Sequence, residues 1–287
     1  MTQGVDGRLD ETSGAAVPLL RIPVEDAFSG LAGVAREARL AAVEKLGAAL
    51  GAIGSFATVT GVPLQALRLA ARSGIASAQR ELGYRLANAD GASSDQAEAF
   101  QWFRLGAKQG DTACQYALGV MYANGLGVPD GKLQAAVCYQ KAAEQGHAAA
   151  QFNLALLYDV GEGVARDSEK AFQWYRRAAE QGYARALFNL GVIYESGEGR
   201  EADLALALDF YTRAAGQGFP AAQIRVAAAC LEGGRAPDAW LWYSLAARGL
   251  PPSEALEQAG QGREAAFAAM SLAEIEEARR RLLAWHA

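Results

Sequence analysis

The sequence predicts an all-α protein, a solenoid of paired helices laid side by side. Three observations predict it. Glycine recurs at Gly74, Gly110, Gly146, Gly182 and Gly218, always 36 residues apart. Each glycine opens a block with the same apolar and small-residue pattern. Each block also holds two amphipathic stretches of helical period joined by a short connection. A repeat array lengthens by adding units rather than by enlarging one core, so the 287 residues fit one continuous array.

Four full blocks run over 74–109, 110–145, 146–181 and 182–217, and a shorter fifth over 218–248. In the third, Ala150, Leu154, Leu157 and Tyr158 share one helical face, which defines helix A of the unit. Ala171, Trp174, Tyr175, Ala178 and Ala179 share another, which defines helix B. Between them Gly161 and Gly163 suit the positive φ that ends a helix, and Asp167 suits the exposed amides that open one. Gly197, Gly199 and Asp203 repeat this punctuation. Gly125 and Gly127 repeat its first half, with Asp130 displaced by one residue. Mid-helix Gly83, Gly119 and Gly191 predict close helix approach, and Trp102, Trp174, Tyr139, Tyr175 and Tyr211 are the bulk that fills the space between units. A single hairpin has one apolar face too many to stand alone, so each repeat is expected to lean on its neighbours.

Residues 1–20 are expected to be a disordered tail and 21–73 N-terminal helices. Leu46-Gly47 lies 36 residues before Leu82-Gly83, which makes 38–73 a degenerate repeat; without its Gly-x-Gly linker, the alternative is a long capping helix followed by a short one. Residues 250–287 are expected to cap the array. Ser271 and Glu274 form a capping-box pattern, Ile275, Ala278, Leu282 and Trp285 face inward, and Glu276, Arg279 and Arg280 face outward.

The net charge of -5 and pI near 5.3 lack the basic footprint of nucleic-acid binding. No secretory signal is readable at the start, and Leu40–Val62 is too interrupted by Glu44, Lys45 and glycines to span a membrane. A cytoplasmic protein is expected. Cys114, Cys138 and Cys230 fall at packing positions of the repeat and are expected to be small buried side chains.

The pattern Ala-Gln-x-x-Leu-Gly-x-x-Tyr, Gly-x-Gly-Val, Lys-Ala-x-x-Trp-Tyr, Ala-Ala-x-Gln-Gly resembles the Sel-one-like repeat, a relative of the tetratricopeptide repeat. The third block carries most of it in Ala150-Gln151, Leu154, Tyr158, Gly161, Gly163, Val164, Lys170-Ala171, Trp174-Tyr175, Ala178-Ala179 and Gln181. The resemblance implies a right-handed αα superhelix that acts as an adaptor or scaffold for other proteins. Some secreted relatives staple consecutive hairpins with a disulfide; here the corresponding positions hold pairs such as Ala143 and Gln151. That departure speaks against an exported, stapled role.

In such superhelices helix A lines the concave side. The equivalent positions here are Tyr116, Phe152, Phe188 and Ile224, with Val120, Leu156 and Val192 one turn later. They form an apolar stripe, either a groove for an amphipathic helix or extended peptide of a partner protein, or packing against the next helix A. Asn153 and Asn189 occupy matching places where side-chain amides hold a ligand backbone or simply meet water. Asp159, Glu195 and Glu232 recur near helix A ends, as an acidic rim for a basic partner or as solvated carboxylates.

Catalysis has little material. The two histidines, His147 and His286, have no nucleophile, metal partner or paired carboxylate at informative spacing, and the glycine loops lack the Lys-Ser/Thr of a phosphate cradle. Neither an enzyme nor a cofactor is expected. The leading expectation is a protein-binding adaptor; the second is an inhibitor or immunity-type protein that covers a partner enzyme.

Overall fold

The structure, a computed structural model, describes residues 63–88 and 93–285. The expected tail, most of the 38–73 question and His286 lie outside the described residues. Among the described residues there are thirteen helices and no strand. The chain clusters into two compact units, 1–82 and 83–287, the division falling inside the second described helix.

The described helices are α1 (Leu64–Arg72), α2 (Ala76–Asn88), α3 (Ser93–Lys108), α4 (Thr112–Asn124), α5 (Lys132–Glu144), α6 (Ala148–Val160), α7 (Ser168–Glu180), α8 (Ala184–Ser196), α9 (Leu204–Gly216), α10 (Pro220–Glu232), α11 (Ala236–Gly249), α12 (Glu254–Ala268) and α13 (Leu272–Ala284). Helix A of the repeat is thus α2, α4, α6, α8 and α10, and helix B is α3, α5, α7, α9 and α11. The second unit is a helical-repeat solenoid in which each of these helices from α3 onward packs on its sequence neighbours.

The helix ends follow from their residues. Gly125, Gly161 and Gly197 close α4, α6 and α8 at φ 64°, 84° and 69°, the left-handed conformation that glycine alone adopts without cost. Asp167 and Asp203 open α7 and α9, each carboxylate accepting from a backbone N–H at 2.9 Å. Asp130 has no such role. Gly131 stands at the start of α5 and offers no side-chain cap.

The second glycine of each linker serves a different need. Gly163 lies so close to the backbone of Lys132 and Leu133, at the start of the preceding helix B, that a methyl group there would overlap it. Gly127 meets Gln96 and Ala97 in the same way, whereas Gly199 has open space. Mid-helix, a methyl on Gly83, Gly119 or Gly191 would enter the ring of Phe103, Tyr139 or Tyr211 on the following helix B. The glycines let an aromatic ring lie directly on helix A, and that contact outweighs the roughly 1 kcal/mol that glycine costs a helix.

At the C-terminal end the Ser271 and Glu274 capping box is present. The Ser271 N–H donates to Glu274 Oε2 at 2.8 Å, and Ser271 Oγ accepts from the Glu274 N–H. Ala278 is fully buried, and Trp285 lies edge-on to Trp242 of α11 at 5.2 Å between centroids. α12 and α13 therefore cover α11.

Candidate functional site on the helix A face

Helix A residues divide into those turned to the next repeat and those turned to solvent. Phe152, Phe188 and Ile224 belong to the first group, at 5%, 6% and 8% exposure. Phe152 packs between Tyr175 and Tyr183 (5.7 and 5.4 Å between centroids), and Phe188 between Tyr211 and Phe219 (5.5 and 5.3 Å). Tyr183 and Phe219 are the residues just before the next helix A. These side chains join one hairpin to the next and are withdrawn from the surface a partner would touch, which corrects the expectation of an open apolar stripe at these three places. Tyr116 holds the equivalent place one repeat earlier and is half-buried, its ring 5.9 Å from Tyr139 and stacked at 4.4 Å on His147.

Val120, Leu156 and Val192 remain half-buried, as do Asn153 and Asn189. Val120, Leu156 and Val192 recur every 36 residues and pack their inner sides against the core, and Asn153 and Asn189 recur at the same interval. Val160 at 54% exposure, Arg185 and Arg225 extend the solvent side of the same helices.

The carboxylates near the ends of α6 and α8 are engaged. The Tyr211 hydroxyl donates to Glu195 at 2.6 Å, and the Arg225 guanidinium lies 3.4 Å from the same carboxylate. The Tyr175 hydroxyl approaches Asp159 at 3.5 Å. Burial, and then the Glu195 carboxylate, raise the Tyr211 hydroxyl well above the usual tyrosine value of 10.0. Glu232 is exposed. Asp159 and Glu195 thus tie helix A to helix B through a tyrosine 16 residues on, a signal visible in the sequence only when the two repeats are aligned.

A second network escaped sequence reasoning. Gln79, Gln115, Gln151 and Gln223 are buried. Gln151 donates to the Ala143 carbonyl at 3.0 Å and Gln223 to that of Ala215 at 3.2 Å, bonding each helix A to the end of the preceding helix B. Gln145 and Gln181, just past α5 and α7, donate to Gln115 and Gln151 at 2.7 Å. A buried amide is costly unless bonded, so the ladder fixes the register between repeats as well as holding them. The motif residues Ala-Gln and Gln-Gly carry it.

Cys114 and Cys230 are buried, while Cys138 is only half-buried, and none of the three is in a disulfide. Burial pushes the thiols of Cys138 and Cys230 up, away from the reactive thiolate. Among the described residues no group of three or more His, Cys, Asp or Glu could hold a metal ion, and no helix is long and apolar enough to cross a membrane. An open cleft of about 480 Å³ lies away from the Val/Asn rows, at the linker edge, lined by Arg166, Asp167, Ser168, Glu169 and Glu198. Its charges are already paired, Arg166 with Glu198 at 3.1 Å, Lys170 with Asp167 at 3.0 Å and Arg200 with Glu169 at 3.5 Å.

The comparisons agree with this architecture. The family model of the Sel1 repeat matches four consecutive segments, 76–111, 112–147, 148–183 and 184–219, just over half of the chain. A Sel1 repeat protein from Oxalobacter formigenes is similar in structure at 26% identity and a TM-score of 0.57, over 80% of this chain and 94% of that one. A protective antigen of uropathogenic Escherichia coli, c5321, which displays an SLR fold, is similar at 25% identity and a TM-score of 0.55, over 79% of this chain and 60% of that one. This chain therefore spans less than two thirds of the antigen's length. The immunity protein Pa5087 from Pseudomonas aeruginosa matches at 16% identity and a TM-score of 0.44, over 68% of this chain and 80% of that one, which carries no functional weight. No curated protein matches the chain. Four matched repeats, with the hairpins, linkers and close glycine contacts in place, establish that this chain belongs to the Sel1 repeat family.

Proposed function

We propose that this chain is a non-catalytic adaptor that holds a segment of a partner protein along the solvent side of its helix A row. The Sel1 repeat is a fold typical of protein-interaction scaffolds, generally without enzymatic activity. The observation that carries the reading is the pairing of Val120, Leu156 and Val192 with Asn153 and Asn189, all half-buried and recurring every 36 residues. Aliphatic rows beside amide rows suit an extended or helical peptide, whose apolar side chains meet the valines and leucine while its polar groups meet the asparagines. The buried Phe152, Phe188 and Ile224 form the floor beneath this row.

Asp159 and Glu195 are occupied by tyrosine, so a basic partner gains little from them. A cytoplasmic setting accords with three cysteines that form no disulfide. The test is a double variant, Leu156→Asp with Val192→Asp, compared with the native chain for partner retention in cross-linking experiments. The native chain is expected to hold a defined partner that the variant loses while its helicity is kept. Equal retention by both would overturn the reading. Loss of a retained enzyme's activity would mark the partner as a target of inhibition.

A further inference from the structure

The residue just before helix A sits at every junction between hairpins, and it is Asp111, His147, Tyr183 and Phe219 in successive repeats. Asp111 accepts from the Cys114 N–H at 2.9 Å and so caps α4. His147 does the same for α6 with a neutral ring nitrogen, Nδ1 accepting from the Ala150 N–H at 3.2 Å. Tyr183 and Phe219 make no side-chain cap. His147 also replaces their aromatic contact: its ring stacks on Tyr116 of α4, as Tyr183 packs on Phe152 and Phe219 on Phe188. One side chain thus holds both the cap and the stack, and among these four residues only an imidazole changes charge near neutral pH.

We propose that His147 is a proton-operated latch between the second and third hairpins: neutral, it caps α6 and stacks on Tyr116; protonated, it releases the cap and loosens that junction. The chemistry runs one way. An imidazolium carries hydrogen on both nitrogens, so Nδ1 can no longer accept from Ala150. The new positive charge also lies at the positive end of the α6 dipole.

The titratable groups on the packed elements offer no compensation. Asp111 is committed to α4, Tyr116 and Tyr139 are phenols, and Lys141 and Glu144 in the last turn of α5 are exposed with opposite charges. Burial lowers the His147 imidazole below its ordinary 6.5, with no charged neighbour among the causes. A base whose folded value is depressed binds fewer protons folded than unfolded. The junction is therefore firm above pH 6.5 and weakens as pH falls through the lower folded value.

This inference is independent of partner binding, and amide hydrogen exchange of the full chain tests it. From pH 7.5 to pH 5.0, with intrinsic rates corrected, protection over residues 148–152 is expected to fall about tenfold, the scale of a lost cap. Residues 184–188, behind Tyr183, should hold their protection. His147→Asn keeps an acceptor that does not titrate, and His147→Asp repeats the arrangement at Asp111; both should abolish the pH response between 5.0 and 7.5. A native chain that does not respond, or a substituted chain that responds as the native one does, would overturn the latch. His147→Asp serves alone should His147→Asn fail to fold.

Discussion

The third and fourth hairpins are built on one pattern and solve it differently. In the fourth, Gly191 lets Tyr211 lie directly on α8, and the tyrosine hydroxyl reaches Glu195 at 2.6 Å. In the third, Ala155 takes the glycine's place and Asp159, one methylene shorter, takes the glutamate's; the hydroxyl of Tyr175 then stands 3.5 Å from the carboxylate. The third has Gln151 in the amide ladder, where the fourth has the buried Leu187. One hairpin relies more on the tyrosine bond and the other on the glutamine bond, so a repeat has two interchangeable ties to its surroundings.

The largest effect that would sharpen this contrast is Gly191→Ala. Its methyl would lie 2.5 Å from Tyr211 ring atoms, and the net cost is expected at about 1–3 kcal/mol despite the better helix former. The midpoint of urea unfolding reads it; an unchanged midpoint would mean the ring shifts freely, as beside Ala155.

Tyr211→Phe is expected to cost about 1–2 kcal/mol, because it removes a hydrogen bond to a charged acceptor. Tyr175→Phe should cost less through its longer bond to Asp159, and equal costs would dissolve the contrast. The Tyr211 variant has a pH signature as well. The hydroxyl's raised value means that the folded state keeps a proton which the unfolded state loses near pH 10. The native chain should therefore lose stability as pH rises past 10, and Tyr211→Phe should lose less, measured as unfolding midpoints between pH 9 and 11.

The smallest effect is Gln151→Leu, which copies Leu187 into the third hairpin. It breaks the bond to Ala143 and leaves the Gln181 amide without its Gln151 acceptor, for roughly 1 kcal/mol in the same unfolding experiment. A cost several times larger would make the ladder, not the aromatic packing, the main tie between repeats.

The fold was legible because helix period and a 36-residue beat are both local patterns, and Gly161, Asp167 and Ser271 mark their helix ends by chemistry that needs no distant partner. The site was legible only in part. A row such as Tyr116, Phe152, Phe188 and Ile224 has the same helical spacing whether it faces solvent or the next repeat. What decides is the residue 31 positions on from each aromatic, His147, Tyr183 or Phe219, and single-helix periodicity does not look there. Asp159 and Glu195 looked like a free rim for the same reason, since their tyrosines lie on the other helix of the hairpin. The roles of Gly163 and Gly127 were hidden too, because a close backbone approach between repeats leaves no trace beyond the glycine itself.

The central claim is a division of labour on helix A, with the phenylalanines holding repeats together and the Val/Asn rows left for a partner. The urea midpoint of Phe188→Ser tests it most directly. The account predicts a loss of about 3–5 kcal/mol, the range for emptying a buried aromatic site. A midpoint unchanged from the native chain would contradict it and return Phe188 to the binding surface.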